Sequence, residues 1–262
     1  IWRIFAYFII YSVTGYIIET LFGAVTKGVL ESRKSFLYGP FCAIYGLGAV
    51  FMILFLQYFK KNNNTLFWGG FIVGSIIEYL VSLIGELIFN VKWWDYSQIP
   101  LNIQGRVCVF FSLFWGLLAI YLMTYVNPKI DKFIEFLKSK IQIKKLKIIT
   151  IILILFMLID CIFTSFALKM FFLRMVYKNN IDILTRPVIE EAYNYIYKNE
   201  KLSNFIYEYI GDEKMIRTFP NLKIQDNNKN IIYMDSLLPD IKPYYFRFHK
   251  TVDLNKVISE GK

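Results

Sequence analysis

Apolar residues run through this chain in five long blocks, residues 4–22, 41–59, 66–89, 107–126 and 146–168, with polar connections between them. As a helix, about 20 such residues cross about 30 Å of hydrocarbon. The pattern therefore predicts five transmembrane helices. The third block is the longest and the most polar. Beyond about residue 170 the character is mixed. Residues 189–210 show helical periodicity with tyrosines and paired acids and lysines, and Phe219-Pro220-Asn221 follows. A polar turn at 226–230 then lies between short apolar runs, which predicts a helical hairpin with a minor strand or two. The expected fold class is all-α, a polytopic helical membrane bundle with a small, mostly helical C-terminal soluble tail. The expected divisions are a four-helix transmembrane core at 1–127, a basic amphipathic inner-leaflet helix at 128–145, a fifth transmembrane helix at 146–170 and the tail at 171–262.

Within the blocks the polar positions are ordered. The first holds Tyr11, Thr14, Gly15 and Glu19 on one helical stripe, and the third holds Gly70, Gly74, Ser82 and two acids at intervals of four. Small residues at that spacing let another backbone approach closely in a bilayer. Gly39-Pro40 before the second block reads as a turn and helix start, with proline in the first helical turn. Gly46 and Gly48 then invite local unwinding or close contact. Asn127-Pro128 is expected to stop the fourth helix, and the lysines of 129–147 alternate with Ile130, Phe133, Ile134, Phe136 and Leu137, as in a helix lying on the inner leaflet.

Composition sharpens the picture. At 56% hydrophobic and 19% charged, the chain is too apolar for a soluble domain of 262 residues. The net charge is +10, concentrated in Lys129, Lys132, Lys138, Lys140, Lys144, Lys145 and Lys147. With Arg3, Lys60 and Lys61, these share one face of a five-span topology. Lys27, Arg33, Lys34, Lys92 and Arg106 take the other. The bias places the N-terminus in the cytoplasm and the tail outside, in a bacterial plasma membrane. The lysines lie between two spans without an aromatic stacking platform, so the charge is read as contact with membrane lipids and not with nucleic acid. Cys42, Cys108 and Cys161 lack metal-ligand spacing and read as small buried hydrophobes. No signal peptide stands out, and the first span would serve as its own insertion signal. His249 reads as surface.

The chemistry lies in the ionisable groups. Glu19, Glu78 and Glu86 fall inside or at the ends of apolar blocks, while Arg33, Asp95 and Arg106 occupy the connections. An ionisable group at bilayer depth costs several kcal/mol unless it is paired or faces water. The second outer connection, Lys92-Trp93-Trp94-Asp95-Tyr96-Ser97 followed by Asn102 and Gly105-Arg106, is the most distinctive stretch. Interfacial anchoring explains its tryptophans but not Asp95 and Arg106. These six charged residues are expected to converge on one pocket near the outer leaflet, with Tyr45, Tyr79, Trp94, Tyr96, Ser97 and Asn102 in secondary roles and Arg33 at the rim. No metal site and no cofactor are expected, and an all-carboxylate site would favour Mg²⁺, Ca²⁺ or Mn²⁺ over zinc.

Glu19-Thr20, Arg33 with Tyr38-Gly39-Pro40, Tyr45-Gly46, Glu78-Tyr79, Glu86, Trp94-Asp95-Tyr96-Ser97, Asn102 and Gly105-Arg106 together resemble the type IV ABC-transporter permease family of low-GC Gram-positive bacteria. The resemblance covers about residues 5–125. It implies a polytopic plasma-membrane transport protein, and the segment Met215-Ile216-Arg217-Thr218-Phe219-Pro220-Asn221 looks like part of an extension that some members carry. The chain has no Gly-x-x-x-x-Gly-Lys-Ser/Thr phosphate loop, so a permease of this kind would need a separate nucleotide-binding subunit. Three readings stay open. The first is a transport subunit whose carboxylates bind a cation, bind a cationic substrate or relay protons. The second is an intramembrane enzyme acting on a lipid or lipid-linked substrate, with Arg33 and Arg106 on a phosphate. The third is a structural or regulatory subunit locked by ion pairs.

Overall fold

A computed structural model describes residues 2–59 and 62–248. Lys60, Lys61 and His249 lie outside the described residues. The fold is all-α in its bulk. Its helices are α1 (Trp2–Lys27), α2 (Ala43–Leu56, continued by a 3-10 turn to Phe59), α3 (Asn63–Phe89), α4 (Val109–Tyr121), α5 (Asn127–Lys140), α6 (Ile143–Lys178), α7 (Arg186–Lys198), α8 (Glu200–Ile210) and α9 (Asp212–Thr218). Three short antiparallel pairs complete it: β1 (Val29–Glu31) with β6 (Tyr244–Arg247), β2 (Asn102–Ile103) with β3 (Val107–Cys108), and β4 (Lys223–Gln225) with β5 (Ile231–Tyr233).

Four of the five expected spans are long and apolar enough to cross a membrane: α1, α3, the continuous α4–α5 rod (Val109–Lys140) and α6. The expected second span is shorter. The segment Ala43–Phe59 covers only about 27 Å at ordinary helical rise. Pro40 is not in its first turn as expected. Gly39 takes a left-handed conformation (φ +68°), and the chain stays irregular until Ala43.

Helix register shows what fills the missing length. The Cys42 amide donates to the Ser12 carbonyl at 2.9 Å, and Gly46 packs on Phe8 and Ser12. The first turn of α2 is therefore level with the middle of α1, about 20 Å short of the end of α1. Gly46 and Gly48 serve close contact, Gly48 against Trp115, and the helix stays intact. Likewise Gly70 packs on Ala119 and Gly74 on Trp115, and Ser75 meets Ser112 at 2.7 Å. That register sets the start of α4 level with Glu78, about 16 Å short of the end of α3. Yet the upper turns of α1 and α3 still expose Leu21, Phe22, Val25, Leu80, Ile84 and Leu87, as a lipid-facing surface would. The connections 28–42 and 90–108 thus fold back into the bundle at bilayer depth.

Non-helical backbone is tolerated there only where protein or a polar cavity satisfies it. On α6, Asp160 accepts the Tyr38 amide at 3.0 Å and Thr164 accepts the Leu37 amide at 2.9 Å. Within the first connection the Ser35 amide donates to the Phe41 carbonyl, and the Ser35 hydroxyl accepts the Ala43 amide. In the second, Asn102 donates to the Ser97 and Ile99 carbonyls and accepts the Gly105 amide.

Two further expectations need correction. Asn127-Pro128 does not stop a helix. A π-helical turn, Leu122–Val126, joins α4 to α5, and the Asn127 amide reaches back to the Leu122 carbonyl. Pro128 lacks an N–H, and a wide turn placed just before it absorbs the lost hydrogen bond. The basic segment is helical as expected, but it continues α4. Cys161 is exposed on α6, while Cys42 and Cys108 are buried. A thiol on a lipid-facing helix surface needs no protein cover.

The tail is built on the bundle. Helix α6 runs unbroken to Lys178, and its last turns carry Ala167, Phe171, Met175 and Val176 into one core with Ile206, Ile210, Met215 and Ile216 from α8 and α9. Leu37 and Val91 from the two folded-back connections join that core. Arg174, fully buried, fixes the end of α8 by pairing with Asp212 at 2.7 Å and donating to the Ile210 carbonyl at 2.8 Å.

Candidate functional site

The charged residues read from the sequence fall into three groups at different depths. The deepest holds Glu19 and Glu78. Glu78 is 5% exposed, about 16 Å below the end of α3. Its two oxygens accept from the Tyr96 hydroxyl at 2.9 Å and the Trp115 indole at 3.1 Å. Gly70 and Gly74 explain this placement, because they bring α4 against the face of α3 that bears Glu78. Glu19 accepts from the Tyr45 hydroxyl at 2.5 Å, and Gly15 leaves the room for the Tyr45 ring. The Tyr45 and Trp115 rings lie 6.1 Å apart, so one aromatic wall joins the two carboxylates. Among the described residues, no lysine or arginine pairs with either acid.

Tyr96 reaches Glu78 because the second connection folds inward, its ring stacked on Phe111 at 4.7 Å. Burial, with the Glu78 charge beside it, holds its hydroxyl protonated far above the ordinary phenol range. Tyr96 is therefore a hydrogen-bond donor to the carboxylate.

The second group is higher. Glu86 pairs with Arg106 at 2.7 Å, Arg106 lies over the Tyr79 ring at 5.8 Å, and the Tyr79 hydroxyl donates to Gln104 at 2.8 Å. Trp94 donates to the Arg106 carbonyl at 2.9 Å. Asp95 accepts from Ser97 at 2.7 Å and packs under Gly105, where a Cβ would meet its Oδ1. The left-handed φ of +66° at Gly105 serves that contact. The third group is at the end of α1, where Arg33 and Lys27 both pair with Glu31, at 2.7 and 2.8 Å.

Glu19 and Glu78 are thus linked to each other, Glu86 to Arg106, and Asp95 to the turn that presents Arg106. Arg33 belongs with Glu31. Two cavities lie apart from these groups. One of about 540 Å³ runs between α3, α6 and α7 beside Lys169. The other, about 390 Å³, is at the opposite end of the bundle beside Arg3, Tyr7, Asn127 and Asp131.

A family profile described as "Putative ABC-transporter type IV" matches residues 6–165. The chain belongs to this family. The match runs past the 5–125 expected from motifs and takes in most of α6, including Asp160 and Thr164. Its end leaves the tail outside. No curated protein and no solved structure matches the chain.

Sequence reasoning missed four participants. Asp160 lies inside an apolar block, and the criterion that singled out Glu78 applies to it equally. Trp115 reads as one more apolar residue until its indole N–H is seen on Glu78. Glu31 sits in a polar connection, where an acid carries no signal. Asp131 was masked by the surrounding lysines, yet it accepts from Arg3 at 2.7 Å and from Tyr7, holding α5 to α1. Among the described residues no cluster of three or more metal-ligating side chains is present.

Proposed function

We propose that the chain is the membrane-spanning permease subunit of an ABC-type transporter, and that Glu19 and Glu78 bind a cation or cationic solute on its way through the bundle. The observation that supports this is the pair of carboxylates at bilayer depth, hydrogen-bonded to neutral donors and without a cationic partner among the described residues. An acid kept there without an ion-pair partner suits a group that waits for a transient one. Non-helical connections that end beside such acids are also how secondary transporters build sites near the midplane.

Arg106 is held by Glu86 at 2.7 Å, far from Arg33 on Glu31, which speaks against the two arginines gripping one lipid phosphate for catalysis. Glu86–Arg106 is better read as a lock on the second connection. The positive bias places the N-terminus and α5 in the cytoplasm, in the plasma membrane, with the tail outside. A separate nucleotide-binding subunit would then meet α5 and the turn before α3.

Purification from the native membrane after mild crosslinking tests the assignment. A stoichiometric ATP-hydrolysing partner is the expected result, and a chain that emerges alone would overturn it. In the reconstituted pair, Glu78→Gln keeps one acceptor for the Trp115 indole, turns the other contact into an amide donor to the Tyr96 hydroxyl, and removes the charge. It is expected to lower substrate-stimulated ATP hydrolysis at least tenfold while shifting the thermal midpoint by no more than a few degrees.

A further inference from the structure

Where the tail meets the bundle, Lys92 and Lys223 exchange both backbone hydrogen bonds, Lys92 N to Lys223 O and Lys223 N to Lys92 O, each 2.9 Å. Residues directly opposed in this way project their side chains to the same face, and like charges so placed repel. Both lysines are 8% exposed. Two lysines on one face of the pairing, both taken out of water, need strong partners.

Their partners are weak. Lys92 Nζ approaches Asp95 Oδ1 only at 3.9 Å, and the other oxygen of Asp95 is engaged by Ser97. Lys223 Nζ meets the Trp93 carbonyl at 3.5 Å and lies over the Tyr233 ring at 5.2 Å. Lys27 and Arg33 add repulsion to Lys223, while Asp95 and Asp235 attract it, and burial outweighs all of them in pushing its ammonium below the ordinary lysine range. Lys27 and Arg33 share the single carboxylate of Glu31, and Arg33 Nε is buried without a partner. Among the described residues, Lys27, Arg33, Lys92 and Lys223 therefore share Glu31, Asp95 and Asp235.

From this excess we infer that Lys92, Lys223 and Arg33 form an anion site that takes a phosphate group. Phosphate suits the place because its several oxygens can accept from two ammonium groups and a guanidinium at once. The junction is at the end of α3, beside Trp93, where headgroups lie, so the phosphate belongs either to an anionic lipid or to a soluble phosphate. The site is independent of the transport reading centred on Glu19 and Glu78.

The full chain is purified in detergent, delipidated and titrated with inorganic phosphate while its thermal midpoint is followed. In parallel, native mass spectrometry records what remains bound before and after delipidation. A saturable rise in the midpoint with phosphate, its midpoint concentration raised at least tenfold by Lys223→Met and by Lys92→Met, supports a soluble phosphate. An anionic phospholipid retained by the wild type and lost from both variants supports a headgroup. Each methionine removes a buried charge at similar volume, so both variants are expected to fold, and without any anion their midpoints should equal or exceed that of the wild type. If phosphate causes no shift and no phospholipid is retained, the proposal is overturned.

Discussion

Glu86 and Arg106 show how a single pair can be tested apart from the transport residues. Arg106 has a side chain 12% exposed and Glu86 one 29% exposed, so the pair is only partly shielded from solvent. Glu86→Ala leaves a guanidinium without its acid and is expected to cost about 1–3 kcal/mol, below the range for a fully buried pair. Thermal unfolding in detergent reads the loss. The double exchange Glu86→Arg with Arg106→Glu should recover most of it if the pair acts as a lock. Recovery of stability without recovery of activity would mean that the charges also serve the substrate. At this scale Glu78 and Glu86 were legible because an acid in an apolar block is expensive. Asp160 met the same criterion, but its partner, the Tyr38 amide, is 122 positions away, and no local pattern points to a backbone N–H.

Among the elements, the two folded-back connections matter most. Asp160 and Thr164 receive amides that would otherwise be bare at bilayer depth, where each unsatisfied group is costly. Asp160→Leu should destabilise the protein by about 1–3 kcal/mol, and Asp160→Asn, which keeps an acceptor, by clearly less. Equal loss in both variants, measured by thermal unfolding, would show that the charge of Asp160 is what counts. The hydropathy pattern placed α1, α3, α4 and α6 well because a helix that faces lipid must be apolar along its length. It counted the block 41–59 as a full span because hydropathy does not show that the helix starts only at Ala43, after a buried turn, and is then too short. The π-helical turn before Pro128 was illegible for a related reason. Proline marks a disturbed helix, but whether the helix ends or widens depends on what holds the next turn. Here Arg3 and Tyr7 hold it through Asp131.

For the whole molecule, the prediction concerns orientation. The positive bias predicts α5 inside and the tail outside. Two variants decide it, each labelled in intact cells with a membrane-impermeant maleimide. Tyr195→Cys, at a position 82% exposed on α7, should be labelled from outside. Ser139→Cys on α5 should react only after the cells are opened. The native thiols are not expected to interfere, since Cys42 and Cys108 are buried and Cys161 lies in an apolar stretch of α6. The reverse labelling would invert the topology and move the Lys92–Lys223 junction to the cytoplasmic side.

The amino-acid sequence alone determined that the chain is a helical membrane protein, where its long apolar helices run and which acids are out of place among them. Those properties sum locally, since each residue contributes its own transfer free energy to the helix that contains it. Only the tertiary structure decided that α2 starts level with the middle of α1, that the connections 28–42 and 90–108 fold back into the bundle, and that Glu19 and Glu78 share one aromatic wall while Glu86 takes the arginine. Depth and pairing depend on helix register. That register is set by contacts such as Gly74 on Trp115 and Gly15 on Tyr45, between residues far apart in the chain, and small residues permit many such contacts without specifying which one forms.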